Sequence, residues 1–312
     1  MKRLIPALQD YCRGPVYGIN LLILAVGLIM VMNLFMKMAE GHHPIEQTFY
    51  RNLFALILIC AVIVARYSWS ILRTQRPWSH VSRAIAGNIG LTLVFASYQL
   101  MPMAEVTALM FTGGLMTTMV APFALGERVG IYRWGAVLVG FGGAVIIAQP
   151  GTENFNALGV ATAMSAAFFG GALVSVFLRS LGKTERAMTT VFYFLSIGVV
   201  LSAPYVAFYG SLPDMETLPL LIGAGIAGGI SLIMKTEAYR HAEASLLSPV
   251  HYTALIWAVL FDIFIWDIFP NALTLGGAAV IILANMVILW RESQRSVSDK
   301  DRLRQEDPDP AL

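Results

Sequence analysis

The sequence predicts an all-α membrane protein with ten transmembrane helices, arranged as two inverted five-helix repeats. Charged residues make up only 13% of the 312 residues and hydrophobic residues make up 57%, whereas a soluble domain has roughly 25% charged residues. Apolar stretches of about 20 residues, the length that crosses a bilayer as a helix, recur along the chain. These stretches are continuous and do not alternate with polar residues, which favours helices over a barrel of strands.

Short turns rich in glycine and proline separate the predicted spans, as in Gly41-His42-His43-Pro44 and Pro150-Gly151. Spans 1 to 10 are expected at 17–38, 46–66, 80–100, 104–124, 131–148, 157–178, 187–209, 218–239, 244–267 and 272–291. Span 1 is too long for a signal-peptide core and is expected to be retained.

The ten spans divide the chain into two repeats of five, with short segments before, between and after them. The predicted segments are an N-terminal cytoplasmic segment 1–16, repeat 1 at 17–148, an external linker 149–156, repeat 2 at 157–291 and a disordered cytoplasmic tail 292–312.

Basic residues predict the orientation of these spans. With the N-terminus in the cytoplasm, all 21 Lys and Arg residues except Lys37 and Arg51 fall in cytoplasmic segments, as the positive-inside rule requires. Removing one span would reverse every later loop and destroy this segregation. The pattern therefore predicts a multi-pass inner-membrane protein with an even number of spans and both termini in the cytoplasm.

Motifs for several other classes of function are missing from the sequence. There is no Gly-rich phosphate loop, zinc helix motif or nucleophile elbow, so neither ATP-driven pumping nor catalysis is expected. We expect no cofactor, no metal and no nucleic-acid partner. Cys12 and Cys60 are expected to be reduced, and the His- and Glu-containing loop from Glu40 to Glu46 is interpreted as a hydrated external loop.

A short motif recurs in the two halves and indicates an internal repeat. Ala104-Glu105-Val106-Thr107 opens span 4, and Ala242-Glu243-Ala244-Ser245 opens span 9. Each of these spans ends near an acidic residue, Glu127 or Asp267, and is followed by a Gly-rich span. Because each half has an odd number of spans, the halves must have opposite orientations, which is common in secondary transporters with a site between the halves.

Two further motifs carry a family resemblance: Leu125-Gly126-Glu127-Arg128 before a Gly-rich helix, and Ala238-Tyr239-Arg240-His241-Ala242 leading to Ser248-Pro249. In these motifs and in the duplicated pattern, residues 17–291 resemble the drug/metabolite transporter superfamily, specifically carriers made of two EamA-type repeats. Asp267 departs from the Gly-Glu that is typical there, and we interpret it as a helix end.

The resemblance implies a secondary transporter that moves a small organic metabolite by alternating access. Its substrate would be a vitamin such as riboflavin, or an amino acid or derivative. The lipid bilayer is its other partner, and proton coupling, exchange and homodimer formation stay open. The resemblance also implies a site between the halves, lined by spans 1, 3, 4, 6, 8 and 9.

Polar and aromatic residues within those spans are the candidates for substrate binding, because such groups are costly in lipid and usually face the protein interior. They are Asn33, Lys37, Asn88, Tyr98, His251, Tyr252 and Trp257. Each has a structural alternative: Lys37 reaching the external interface, Asn33 and Asn88 joining helices, Tyr98 anchoring the interface, His251 donating to a helix carbonyl, and Tyr252 and Trp257 packing between helices. The rings and amides favour a planar or cationic metabolite over a phosphorylated sugar.

Charged residues near the ends of the spans are candidates for charge pairs or gates. Arg51 lies against the charge bias, where it either pairs with Glu46 or Glu105 or attracts an anionic group. Glu105 and its repeat mate Glu243 suit gating, and both also suit the first turn of a helix. Asp262 is expected near the hydrated external interface, on the same stripe of span 9 as His251.

Two other functions stay open at this point: a polytopic enzyme acting on lipids, and a non-transporting membrane assembly factor. The enzyme would need a catalytic cluster near one interface, and the Glu40 to Glu46 loop lacks a serine or cysteine nucleophile. The small residues of span 6 (Ala163, Ala167 and Gly171) and the Gly225/Gly229 pair of span 8 predict close helix packing.

Overall fold

A computed structural model describes residues 15–126, 129–153, 155–181, 185–242 and 244–306. Within these ranges the regular elements are helices and no strand is present, so the predicted all-α fold class is confirmed. Glu127, Glu243 and Cys12 lie outside the described residues, and Cys60 is a free thiol.

Each predicted span corresponds to a helix or to a broken helix. The unbroken helices are span 1, Pro15–Met38; span 2, Pro44–Arg66; span 3, Pro77–Leu100; span 5, Ile131–Ala148; span 7, Ala187–Tyr209; span 8, Thr217–His241; and span 10, Ala272–Glu306. Span 4 comprises Met103–Met110 and Thr112–Leu125; span 6 comprises Ala157–Ala166, a π-helical segment Ala167–Leu173, and Val174–Leu181; span 9 comprises Ala244–Leu247, a 3₁₀ turn Ser248–Tyr252, and Thr253–Trp266.

Nine of these segments in the described chain are long and apolar enough to cross a membrane. The other is span 3, which has 24 residues. Its polar residues, including Arg83 and Asn88, lower its mean hydropathy. The ten-span count therefore agrees with the helices that the structure contains.

The end of the chain differs from the expectation. We expect a disordered tail from residue 292, but the helix of span 10 continues to Glu306. Glutamates, lysines and arginines after Arg291 are good helix formers, and the extension of an existing helix needs no new nucleation.

Several contacts between spans form matched pairs when the two halves are exchanged. Span 1 packs on span 8, and the corresponding pair, span 6 on span 3, is also in contact. Span 2 contacts span 8, and the corresponding spans 7 and 3 are also in contact. Span 1 contacts span 9, and the corresponding spans 6 and 4 are likewise in contact. Spans 2 and 7, 4 and 9, and 5 and 10 pair across the two halves.

Glycines allow the closest of these contacts. A Cβ atom on Gly90 of span 3 would clash with the Gly170 backbone of span 6, so the two backbones touch. Gly113 of span 4 meets Gly171 of span 6 in the same way. The small residues of span 6 therefore pack tightly against spans 3 and 4, as predicted.

Candidate functional site

Polar and aromatic residues between the halves form two groups, one at each end of span 9. Spans 1, 3 and 9 finish at the end of the bundle where span 4 begins. The outer cluster, so called from the predicted topology, lies there and comprises Asn33, Lys37, Tyr98, Thr107 and Asp262. The inner cluster lies towards the other end and comprises Phe111, Tyr239, His251, Tyr252 and Trp257.

Asp262 of span 9 caps the start of span 4. Its carboxylate accepts hydrogen bonds from the backbone N–H groups of Met103 at 3.0 Å and Ala104 at 2.7 Å. The first N–H groups of a helix have no partner within the helix, and Pro102, which precedes this one, has no capping side chain. Asp262 is fully buried, so the expectation that it is hydrated at the external interface is wrong.

Lys37 of span 1 points into the outer cluster. Its ammonium donates to the Met101 carbonyl at 3.0 Å and lies 4.0 Å from the Asp262 carboxylate. It also lies 4.7 Å from the centroid of the Trp266 ring. The residue is only 8% exposed, so it does not reach the external surface as the structural alternative requires. A buried ammonium needs such partners because removing it from water is costly.

Asn33, Tyr98 and Thr107 connect spans 1, 3 and 4. The Asn33 amide donates to the Tyr98 hydroxyl at 3.3 Å, and that hydroxyl lies 3.2 Å from the Thr107 hydroxyl. All three residues are buried. Asn33 therefore makes the interhelical hydrogen bond that was its structural alternative. Its side-chain oxygen is buried and remains as an acceptor without a partner among the described residues.

Arg51 lies in a buried polar network and forms no ion pair within the described residues. Its guanidinium donates to Asn52 at 2.9 Å and to the Met32 sulfur at 3.3 Å. Asn52 in turn donates to Asn88 at 2.7 Å. Glu46 pairs with His42 at 2.8 Å instead, so the expected pairing of Arg51 with Glu46 or Glu105 is wrong.

Asn88 connects span 3 to span 7. Its amide donates to the carbonyls of Ala84 at 2.8 Å and Phe194 at 3.1 Å. With both amide hydrogens donated and its oxygen bonded to Asn52, this residue has the helix-joining role that was its structural alternative.

The inner cluster is built from rings on spans 4, 8 and 9. Tyr252 packs edge-to-face on Phe111 of span 4, with centroids 5.0 Å apart. Trp257 lies against Gly27 of span 1, where a Cβ would be 3.4 Å from the indole ring. The His251 imidazole lies 3.2 Å from the Tyr239 hydroxyl of span 8, so its partner is a side chain rather than the helix carbonyl that we considered.

The two clusters differ in how deeply their residues are buried. The five residues of the outer cluster are each less than 9% exposed, whereas Trp257 is 37% and Tyr239 is 41% exposed. The outer cluster is therefore more tightly enclosed by protein than the inner one. Glu105 is half-buried in the first turn of span 4.

Several residues of these networks are not apparent in the sequence. Asn52 and Phe111 join the candidate residues only through contacts with distant helices. The cap that Asp262 supplies had one signal in the sequence. Span 4 begins with Pro102-Met103 and has no Ser, Thr, Asp or Asn at its N-cap, so its first N–H groups need an acceptor from elsewhere.

Comparisons with known proteins match this architecture. Residues 16–149 match the EamA-like transporter family. The chain is 29% identical over 252 residues to an S-adenosylmethionine uptake transporter of Rickettsia bellii, covering 81% of this chain and 86% of the relative. It is 27% identical to a riboflavin transporter of Rhizobium johnstonii, covering 87% and 89%. It is 25% identical to the pseudopaline exporter CntI of Pseudomonas aeruginosa, covering 86% and 94%.

A solved crystal structure also resembles the fold. It aligns with a TM-score of 0.59 at 18% identity, over 86% of this chain and 95% of the other. At that identity the match bears on the fold alone.

Proposed function

We propose that this chain, a multi-pass membrane protein whose first half matches the EamA-like transporter family, is a transporter of the drug/metabolite superfamily whose small-molecule solute carries a flat aromatic ring or a cationic group. The inner cluster supports this substrate class most directly. Tyr252, Trp257 and Phe111 offer faces and edges for stacking on a ring, and tyrosine and tryptophan faces attract cations.

The relatives are consistent with such a substrate. S-adenosylmethionine combines an adenine ring with a sulfonium cation, and riboflavin has a flat ring system; relatives named for both cover most of the chain. One relative is named as an exporter and another as an uptake transporter. Direction therefore has to be measured for this chain.

We propose alternating access between two inverted repeats, residues 17–148 and 157–291. The matched contacts of the two halves support this relation, because exchanging the halves maps the contacts of span 8 with spans 1 and 2 onto those of span 3 with spans 6 and 7. In this cycle the present arrangement, with the outer cluster buried, would be a state that is closed on the outer side. Opening the outer side would separate Asp262 from the start of span 4 and Lys37 from Met101.

We place both termini in the cytoplasm and the protein in the bacterial inner membrane. The support is the basic bias: only Lys37 and Arg51 would lie on the external side. Both residues are buried in the structure. Neither is therefore a charge in an exposed external loop, which the positive-inside rule would disfavour.

Transport would be coupled to protons or to exchange of a second solute. Glu105 and Asp262 lie close enough to Lys37 to interact with it electrostatically, so adding a proton there would change the balance of charge in the outer cluster. The alternative of a lipid enzyme has weaker support: His42 is bonded to Glu46 and Thr217, and the relatives are named as transporters.

Solute flux in proteoliposomes tests this proposal. We expect purified protein to transport labelled S-adenosylmethionine or riboflavin and to saturate with concentration. Trp257→Ala and Tyr252→Ala should each weaken apparent affinity by about 1–3 kcal/mol, the range for loss of a buried aromatic anchor. Phe264→Ala is the matched control, because Phe264 lies on the same helix and is 81% exposed.

Two results would count against the proposal. Absence of flux for every ring-containing or cationic solute tested would reject the substrate class. Equal kinetics for the Trp257, Tyr252 and Phe264 variants, at equal protein in the vesicles, would remove the inner cluster from the substrate path.

A further inference from the structure

A polar cavity of about 500 Å³ lies apart from both clusters, where the connection between spans 2 and 3 meets the start of span 7. Its lining includes the guanidinium-bearing residues Arg73, Arg76 and Arg186, and the acidic residue Glu185. Arg73 and Arg186 are exposed. The cavity therefore has more positive than negative side chains around one small volume.

Two helices also begin at this cavity. Span 3 starts at Pro77 after Arg76, and span 7 starts at Ala187 after Arg186. Neither N-cap residue makes a side-chain hydrogen bond to the first turn. The partial positive charge of each uncapped helix start therefore adds to that of the arginines, and helix starts of this kind bind anions.

The acidic residue in the lining is already engaged. A Glu185 carboxylate oxygen lies 3.3 Å from the His80 imidazole nitrogen. Burial raises the pKa of Glu185, but hydrogen bonds from Thr74 and His80 outweigh that effect and hold the pKa below its usual value. Besides this engaged carboxylate, the lining holds the exposed guanidinium groups of Arg73 and Arg186, so the cavity has more positive than negative charge.

The walls of the cavity are held in place by contacts between the two halves. The Thr189 hydroxyl of span 7 donates to the Ile71 carbonyl at 2.7 Å, and the Tyr193 hydroxyl donates to the Leu72 carbonyl at 3.1 Å. His80 is buried and stacks on Tyr193 with centroids 4.8 Å apart. The arginine-bearing backbone is therefore tied to span 7 before any ligand binds.

We propose that this cavity binds a phosphate group, and that the group belongs to the headgroup of an anionic phospholipid. Guanidinium groups match phosphate oxygens with paired, charge-assisted hydrogen bonds. Trp69 and Trp78, which flank the arginines in sequence, are 55% and 82% exposed. Exposed tryptophans at the end of a span are typical of the headgroup level of a bilayer, where basic residues attract anionic lipids.

A phosphate bound here would contact both halves of the protein. Arg73 belongs to the connection within the first repeat, and Arg186 belongs to the second. Binding would therefore stabilise the present arrangement of the two halves at this end. The proposal does not depend on which solute is transported.

Thermal unfolding of delipidated protein in neutral detergent tests the site. The probes are short-chain phosphatidylglycerol, short-chain phosphatidylcholine and inorganic phosphate, each titrated separately. We expect phosphatidylglycerol to raise the melting temperature and phosphatidylcholine to have little effect. In the double variant Arg73→Gln/Arg186→Gln, the phosphatidylglycerol concentration that gives half the shift should rise about tenfold or more, since two charge-assisted bonds are lost.

Arg240→Gln is the control for loss of an arginine elsewhere, because it removes one positive charge from an exposed arginine whose partner is Glu237. The charge-conserving double variant Arg73→Lys/Arg186→Lys should retain part of the rise in melting temperature. It replaces the Gln double variant in the test if that variant does not fold. A shift with inorganic phosphate as large as that with phosphatidylglycerol would keep the phosphate site but reject the lipid as its source. Unaltered phosphatidylglycerol dependence in both double variants, or an equal shift with phosphatidylcholine, would overturn the proposal.

Discussion

The cap that Asp262 supplies to span 4 makes a sharp prediction about the closed outer side. Asp262→Asn keeps the shape of the side chain but removes its charge and one of its two acceptor oxygens. Because opening of the outer side separates spans 9 and 4 in the proposed cycle, the cap stabilises the closed state. We therefore expect Asp262→Asn to shift the protein towards an outward-open state.

The size of this shift follows from the two hydrogen bonds. A hydrogen bond to a charged acceptor contributes about 1.5–3 kcal/mol and a neutral one about 1 kcal/mol. The carboxylate accepts from Met103 and Ala104, whereas asparagine retains one neutral acceptor. The net loss is about 2–5 kcal/mol, and even the lower value changes the ratio of the two states by more than about tenfold.

Cysteine labelling from outside measures this ratio. Ala104→Cys, placed in a background with Cys12 and Cys60 replaced by serine, reports on the outer cluster because Ala104 is 1% exposed. A membrane-impermeant maleimide should label this cysteine at least about tenfold faster once Asp262→Asn is added.

The control is Asp267→Asn. Asp267 is exposed and has a φ of 55°, a left-handed conformation that asparagine tolerates well. Labelling that is no faster with Asp262→Asn than with Asp267→Asn, in protein that remains monodisperse, would refute the assignment of this cap to the outer closure.

Three further outcomes are expected. Gly90→Ala should destabilise the protein by about 1–3 kcal/mol in a detergent unfolding assay, because its Cβ would meet the Gly170 backbone; Gly135→Ala, which has open space, should not. Tyr98→Phe removes the hydroxyl between Asn33 and Thr107 and should cost about 1–3 kcal/mol in the same assay, and an unaltered midpoint would contradict that role. A C-terminal reporter fusion should be active only in its cytoplasmic form, and strong periplasmic phosphatase activity would contradict the topology.

The sequence predicts much of the fold because the relevant physics is local along the chain. A bilayer requires long apolar helices, and the glycine and proline turns mark where they end. The predicted bounds of span 2, 46–66, are close to the observed Pro44–Arg66 for this reason. The tail is the exception, since polar composition alone does not distinguish a disordered segment from the continuation of a helix.

The candidate site is less predictable because its contacts join residues far apart in the chain. Proximity along the chain suggested Glu46 as a partner of Arg51, five residues away. The side chains have different partners in the structure: Glu46 pairs with His42, and Arg51 donates to Asn52 and Met32. Helical spacing identifies which residues share a face, but it does not identify the helix that this face meets.

The sequence by itself determined that the chain crosses the membrane many times, and where its basic residues concentrate, because hydropathy and charge are properties of each segment. Only the tertiary structure decided that Asp262 caps a helix that begins 159 residues earlier at Met103, and that Arg73 and Arg186 line one cavity. Hydrogen bonds and ion pairs act over a few ångströms. Which groups come within that distance depends on how the helices pack.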